Sequence, residues 1–183
     1  MKKVYVLLAE GFETVEALAQ VDACKRCKID VSTISIDNQD FVTSSHGIQV
    51  KADKKWDDAN FDEADVLVLP GGYPGYMNLA SSEAVGKVVK QFYNTQKLVA
   101  AICGAPYVLA ANGLAKDREV TYHHSIKDKM EGYHYTGDRV TIDGNLITGI
   151  GAGRSFDFAI AYISQIADKD TIAHLKGGLE IND

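Results

Sequence analysis

Short, wholly apolar runs of strand length alternate along this chain with segments of helical period, and that alternation limits the fold more than any other feature. Lys3–Ala9 has no polar face, so it predicts a strand covered on both sides. From Glu13 to Cys27 the apolar positions Leu18, Val21 and Cys24 recur every three residues as a helical stripe, before Ile29–Ile36 returns to a β-rich pattern. Asp65–Leu69, broken by Pro70-Gly71-Gly72, and Leu98–Ile102 predict two further buried strands. Glu83–Asn94 sets Val85, Val88, Val89 and Phe92 on one helical side, and Ala105–Asn112 predicts a helix stopped by Gly113. Glu119–Tyr122 reads as a short strand, and Arg139–Asp143 and Asn145–Ile150 as two strands joined near Asp143-Gly144. Phe156–Ala167 carries Phe156, Ala159, Ile160, Ile163, Ile166 and Ala167 along one helical face. Phe41–Lys51, with Gly47 and polar alternation, predicts an edge hairpin added to the sheet.

Repeated βα units with right-handed crossovers lead to an open, mostly parallel sheet with helices on both faces. At 183 residues, with no internal repeat or linker, the chain is read as one domain spanning 1–183. Sheets of this kind bind and react at the carboxyl ends of their strands, so the loops after Ala9, Leu69, Ile102 and Thr121 are the places to look for chemistry. Charge narrows the partners: 19 Lys+Arg against 25 Asp+Glu give −6 with the signs interspersed. That balance opposes a nucleic-acid surface or a polybasic membrane patch. The apolar stretch Val4–Ala9 is too short for a signal or transmembrane segment, and a cytoplasmic protein is expected. Cys24, Cys27 and Cys103 are an odd, sparse set that fits free thiols in a reducing compartment.

Cys103 directly follows one predicted strand and precedes a helix, and Ala101-Ile102-Cys103-Gly104-Ala105 has the small-x-nucleophile-x-small form of a nucleophile elbow. The positive end of a helix dipole and nearby unpaired N–H groups would favour thiolate there. The same position also suits a small buried hydrophobe at a strand end. Pro70-Gly71-Gly72 ends the neighbouring strand, with Gly75 extending the loop; it reads either as a tight turn or as backbone free to approach a reacting oxygen. No dinucleotide or Walker fingerprint is present. Glu10, Glu13 and Glu16 follow the first strand, where acids meet a helix dipole and are commonly solvated; buried beside a thiolate, Glu16 would instead hold a proton. Among the histidines, His123 lies within reach of the same crevice and is a candidate acid/base, whereas His124, His46, His134 and His174 read as surface residues. No spacing suggests a metal site. Cys24-Lys25-Arg26-Cys27 matches C-x-x-C, but it falls near a helix C-terminus, where the dipole raises a thiol pKa, and no second pair completes a zinc set.

Ala9-Glu10-Gly11-Phe12-Glu13-Thr14-Val15-Glu16-Ala17, Leu69-Pro70-Gly71-Gly72 and Ala100-Ala101-Ile102-Cys103-Gly104-Ala105-Pro106 together resemble the ThiJ/PfpI superfamily, in particular the branch of the Parkinsonism-associated protein deglycase and its bacterial relatives. His123 before Lys127-Asp128-Lys129, and Gly151-Ala152-Gly153-Arg154-Ser155-Phe156, extend the resemblance over nearly the whole chain. It implies a flavodoxin-like, three-layer homodimer. Cys103 is implied as nucleophile, Glu16 as its protonated partner, His123 as a proton shuttle, and the Gly72 and Gly104 N–H groups as oxyanion donors. The implied chemistry is cofactor-free: attack on methylglyoxal, glyoxal or early glycation adducts through a Cys103 hemithioacetal. Gly104 stands where the proteolytic branch carries His, which argues against a peptidase, and His46 stands where an arginine is common near the dimer interface. The alternative is an oxidative-stress sensor or redox-regulated chaperone that uses Cys103 oxidation without turnover.

Overall fold

In the computed structural model, which describes residues 2–181, the first apolar run is β1 (Lys3–Leu8), with every residue from Val4 to Leu8 fully buried. A strand without an exposed face must be sandwiched, because successive side chains point to opposite sides. Tyr5 and Leu7 enter one core with Leu67, Leu69, Val99 and Ala101. Val4, Val6 and Leu8 enter the other with Val66, Val68, Ala100 and Ile102.

After β1 come α1 (Thr14–Arg26), β2 (Asp30–Ser35), β3 (Phe41–Thr43), β4 (Gln49–Lys51), β5 (Lys54–Lys55) and β6 (Val66–Leu69). Then follow α2 (Gly75–Ser81), α3 (Glu83–Asn94), β7 (Leu98–Ile102), α4 (Tyr107–Ala111), β8 (Glu119–Val120) and β9 (His134–Tyr135). The order ends with β10 (Val140–Asp143), β11 (Leu146–Gly149), α5 (Ser155–Ile163) and α6 (Lys169–Gly178). The main sheet has seven strands in the order β10-β11-β7-β6-β1-β2-β5, with only β10 antiparallel. Val85, Val89 and Phe92 of α3 seal the first core, and Phe158, Ala159 and Tyr162 of α5 the second. Burying Val85, Val89, Phe92 or Phe158 contributes about 1.5–3 kcal/mol each. No helix among the described residues is long and apolar enough to cross a membrane.

The topology fixes where a site can form. β2 joins one side of β1 and β6 the other, so the direction of strand addition reverses at β1. The reversal sends the connections after β1 and β6 apart and opens a crevice beyond their carboxyl ends, the usual ligand position in open α/β sheets.

Several expectations need correction. The hairpin of Phe41–Lys51 forms, but as its own two-stranded sheet and not as an addition to the main one. It is drawn instead to the loop after β1, where Gly11 N–H donates to the Thr43 carbonyl (2.8 Å) and Ser45 N–H to that of Phe12 (2.8 Å). The sheet edge is taken by β5, held to β2 because the Asp53 carboxylate accepts both the N–H and the hydroxyl of Thr33, each at 2.9 Å. Glu119–Tyr122 shortens to β8, which pairs with β9 outside the main sheet. The buried face of α1 is Glu16, Ala17, Ala19, Gln20, Ala23 and Cys24, leaving Leu18 exposed. In α5 the buried face rotates to Ser155, Phe158, Ala159, Tyr162 and Ile163, and the helix stops before Ile166.

Candidate active site

Cys103 is the first residue after β7 and has φ +63°. A side chain in that left-handed region costs about 1–2 kcal/mol, so the surroundings must impose it. They do so through both backbone groups: Cys103 N–H donates to the Gly149 carbonyl (2.8 Å), and its carbonyl accepts from His123 N–H (2.9 Å). The half-buried thiol therefore projects from a sharp turn anchored to the end of β11 and to the loop after β8. The helix expected from Ala105 begins only at Tyr107 and has five residues, so its dipole is not what steadies a charge at sulfur. That work falls to the Gly72 and Gly104 N–H groups, both of which donate to Cys103 and lower its pKa.

Glu16 comes to the same point from α1. Glu13 caps this helix, its carboxylate accepting Glu16 N–H at 2.7 Å, while Glu13 N–H donates to the Gly71 carbonyl at 2.9 Å. The cap thus stitches the start of α1 to the loop after β6. Glu16 is fully buried, and its Oε2 accepts Gly71 N–H at 2.8 Å. Burial raises its pKa from 4.5 to about 7, against the opposing hydrogen bonds from Cys103 and Gly71. Burial, followed by the charge and hydrogen bond of Glu16, pushes Cys103 up to about 12. The thiol is not acidic by itself: the first proton to leave the pair does so near neutrality and leaves one negative charge between carboxyl and sulfur. Gly71 N–H draws that charge to the carboxylate, and the Gly72 and Gly104 N–H groups draw it to sulfur.

The two loop glycines are there for space and conformation. A Cβ on Gly71 would lie 2.7 Å from Glu16 Oε2 and 2.8 Å from Cys103 Cβ, so this residue is the thin partition between acid and thiol. Gly72 has φ +88°, and a Cβ there would come within 2.3 Å of Glu13 N. Gly75, expected to extend the loop, instead opens α2.

The pattern of the DJ-1/PfpI family matches residues 2–165. The chain belongs to that family. It is 36% identical to the Parkinson disease protein 7 homolog of Danio rerio, over all of this chain and 98% of the relative. It is 32% identical to the glutathione-independent glyoxalase DJR-1.2 of Caenorhabditis elegans, over 90% of this chain and 89% of the relative. The crystal structure of Drosophila melanogaster DJ-1beta superposes with a TM-score of 0.96 at 33% identity, covering 100% of this chain and 99% of that one.

Within this DJ-1/PfpI framework the other candidates separate. His123 reaches Cys103 through its backbone, while its ring turns to Ser125 (Nδ1 to Oγ 2.9 Å) and stacks on His124 at 4.2 Å between centroids. Burial, then the neighbouring His124, lowers the His123 pKa. His46 is exposed in the turn between β3 and β4, next to Ser45 Oγ, and His134 and His174 are exposed elsewhere. Glu10 accepts Thr43 N–H at 2.9 Å and thereby anchors the hairpin. Cys24 is buried against the Tyr162 hydroxyl (3.3 Å) and pushed up to about 12 by burial, and burial also raises Cys27. Among the described residues no three His, Cys, Asp or Glu side chains are placed to hold a metal ion.

Two contributors escape the sequence reading. Glu13 as cap and stitch had a signal, an acid three residues before Glu16 at a helix start. Tyr76 had none: its N–H donates to the Gly72 carbonyl at 2.9 Å, and its ring lies where a Gly104 Cβ would come within 2.5 Å.

Proposed function

We propose that this chain is a cysteine-dependent, cofactor-free glyoxalase that converts methylglyoxal to lactate and glyoxal to glycolate, and attacks early glycation adducts through the same hemithioacetal. The observation that carries this reading is a fully buried Glu16 carboxyl separated only by Gly71 from the Cys103 thiol on its strained turn, with the Gly104 and Gly72 N–H groups favouring charge on sulfur. The Cys103 thiolate adds to the aldehyde carbon, and the carbonyl electron pair becomes an alkoxide that takes over the Gly72 and Gly104 N–H groups from sulfur. Glu16 gives the alkoxide its proton, then as carboxylate takes the proton from the former aldehyde carbon and returns it to the adjacent carbon. The resulting thioester is cleaved by water, so the net change is the addition of one water, with no oxidant. Gly104 at the position after the nucleophile speaks against peptidase action.

The protein is proposed to act in the cytoplasm as a homodimer. In support of a dimer, Val15 and Leu18 of α1 are 50% and 37% exposed, and with Phe156 they line one apolar surface hollow. The test is lactate formation from methylglyoxal without glutathione, by wild type, Cys103→Ala and Glu16→Gln. Turnover above both variants is expected; equal rates would refute the reading and leave oxidation sensing as the alternative. That alternative is favoured by one feature, the buried Glu16 Oε1, which has no partner within hydrogen-bond geometry and could meet an oxidised sulfur. Mild peroxide followed by mass spectrometry then has to show Cys103 oxidised ahead of Cys24 and Cys27.

A further inference from the structure

The two segments that pin Cys103 continue past it and border an open cleft. Gly149, which accepts Cys103 N–H, leads into Ile150–Arg154, and His123, whose N–H reaches the Cys103 carbonyl, leads into His124. These segments line a cavity of about 450 Å³ together with Tyr135. Gly151 and Gly153 contribute no side chains: a Cβ on Gly151 would have its nearest neighbour, His123 Cδ2, 3.8 Å away, and one on Gly153 would meet nothing within 4 Å. The lining contains no acid, and its one permanent charge is Arg154.

Arg154 is held as part of this wall, its N–H donating to the Gly151 carbonyl at 2.8 Å. The guanidinium makes one long contact, Nη1 to Asp157 Oδ2 at 3.5 Å, in a half-exposed pair three residues apart. Pairs of that kind contribute little, whereas a carboxylate can take two parallel guanidinium hydrogen bonds. An anionic ligand therefore has a better offer to make than Asp157 does.

We propose that Arg154 and this cavity form a subsite for a carboxylate, so that the chain prefers α-oxoaldehydes bearing a distal carboxylate over neutral ones. The proposal rests on the glyoxalase reading and specifies its substrate class. For 4,5-dioxopentanoate, sulfur bonds to the aldehyde carbon while the carboxylate rests on Arg154. The proton on that carbon moves to the neighbouring carbon, and water releases 2-hydroxyglutarate and the free thiol. One water is consumed and no electrons leave the substrate.

The test compares kcat/KM for 4,5-dioxopentanoate and methylglyoxal in wild type, Arg154→Gln and Arg154→Lys. The expected result is a fall of roughly 10- to 100-fold in the ratio of the two values for Arg154→Gln, carried by KM, with partial recovery in Arg154→Lys. An unchanged ratio overturns the subsite while leaving the glyoxalase reading in place. If wild type turns over neither substrate, the glyoxalase reading fails, and the subsite is judged by protection of Cys103 from iodoacetamide by 4-oxopentanoate, which has the carboxylate and no aldehyde. Protection about tenfold weaker in Arg154→Gln supports the subsite, and equal protection overturns it.

Discussion

Replacing Glu16 by Gln is expected to stabilise the protein above neutrality while abolishing its chemistry. Glu16 is fully buried, and burial raises its pKa from 4.5 to about 7. Below pH 4.5 the carboxyl is protonated in the folded and unfolded chains alike and costs nothing. As pH rises from there, the unfolded chain ionises while the folded one stays protonated, so stability falls until pH passes the folded value. The interval from 4.5 to about 7 amounts to roughly 3 kcal/mol, most of which accrues between pH 5 and pH 8. The amide introduced by Glu16→Gln keeps an oxygen to accept Gly71 N–H but has no proton to lose, so the variant is spared this loss. Urea unfolding of both proteins at the two pH values reads the effect directly. The stability of Glu16→Gln relative to wild type is expected to grow by about 2–3 kcal/mol from pH 5 to pH 8, while turnover falls roughly 10²- to 10⁴-fold. A gap that stays constant with pH would mean that Glu16 is not the buried acid of near-neutral pKa on which the mechanism depends.

Gly71→Ala places a methyl group against both Glu16 Oε2 and Cys103 Cβ; it is expected to cost about 1–3 kcal/mol in thermal or urea unfolding and to remove turnover, with full activity refuting the partition role. Tyr162→Phe deletes the hydroxyl beside Cys24 Sγ and is expected to cost about 1 kcal/mol without altering kcat, as checked by unfolding and steady-state assays. Leu18→Asp places a charge on the exposed apolar face of α1; light scattering is expected to report a dimer for the wild type and a monomer for the variant, with unchanged far-ultraviolet circular dichroism.

Legibility in the sequence follows burial. β1, β6 and β7 are plain because strands buried on both faces must be apolar throughout, and α3 because Val85, Val89 and Phe92 leave a clear stripe. α6 escapes the pattern because only Leu175 in it is buried, although Asp168, accepting Thr171 N–H at 2.8 Å, is a readable cap. α2 starts after Pro74 with Gly75 and contains Asn78 and Ser81, a composition that propensity reads as loop. The face of α1 is misread because it buries Glu16 and Gln20 in place of Leu18; Gln20 Nε2 donates to the Ser155 carbonyl at 3.2 Å. Polarity patterns treat an acid as exposed, so the most informative residue of the candidate site is the one that hydrophobic periodicity cannot place.

The candidate site uses few side chains because the backbone does most of the positioning. The Gly71, Gly72 and Gly104 N–H groups act on carboxyl and sulfur, and the Gly149 carbonyl and His123 N–H hold the strained Cys103 backbone. Substitution by any residue other than proline leaves such groups in place; at the glycines it displaces them by adding a Cβ where none fits. His123 combines both kinds of contribution and allows them to be separated. His123→Ala keeps the N–H that fixes Cys103 and removes only the imidazole. A loss of kcat in that variant, with KM and Cys103 alkylation by iodoacetamide unchanged, therefore measures proton transfer by the ring. A rise in KM reports its place in the cavity wall, and a parallel loss of turnover and alkylation would show that the ring too serves to position the thiol.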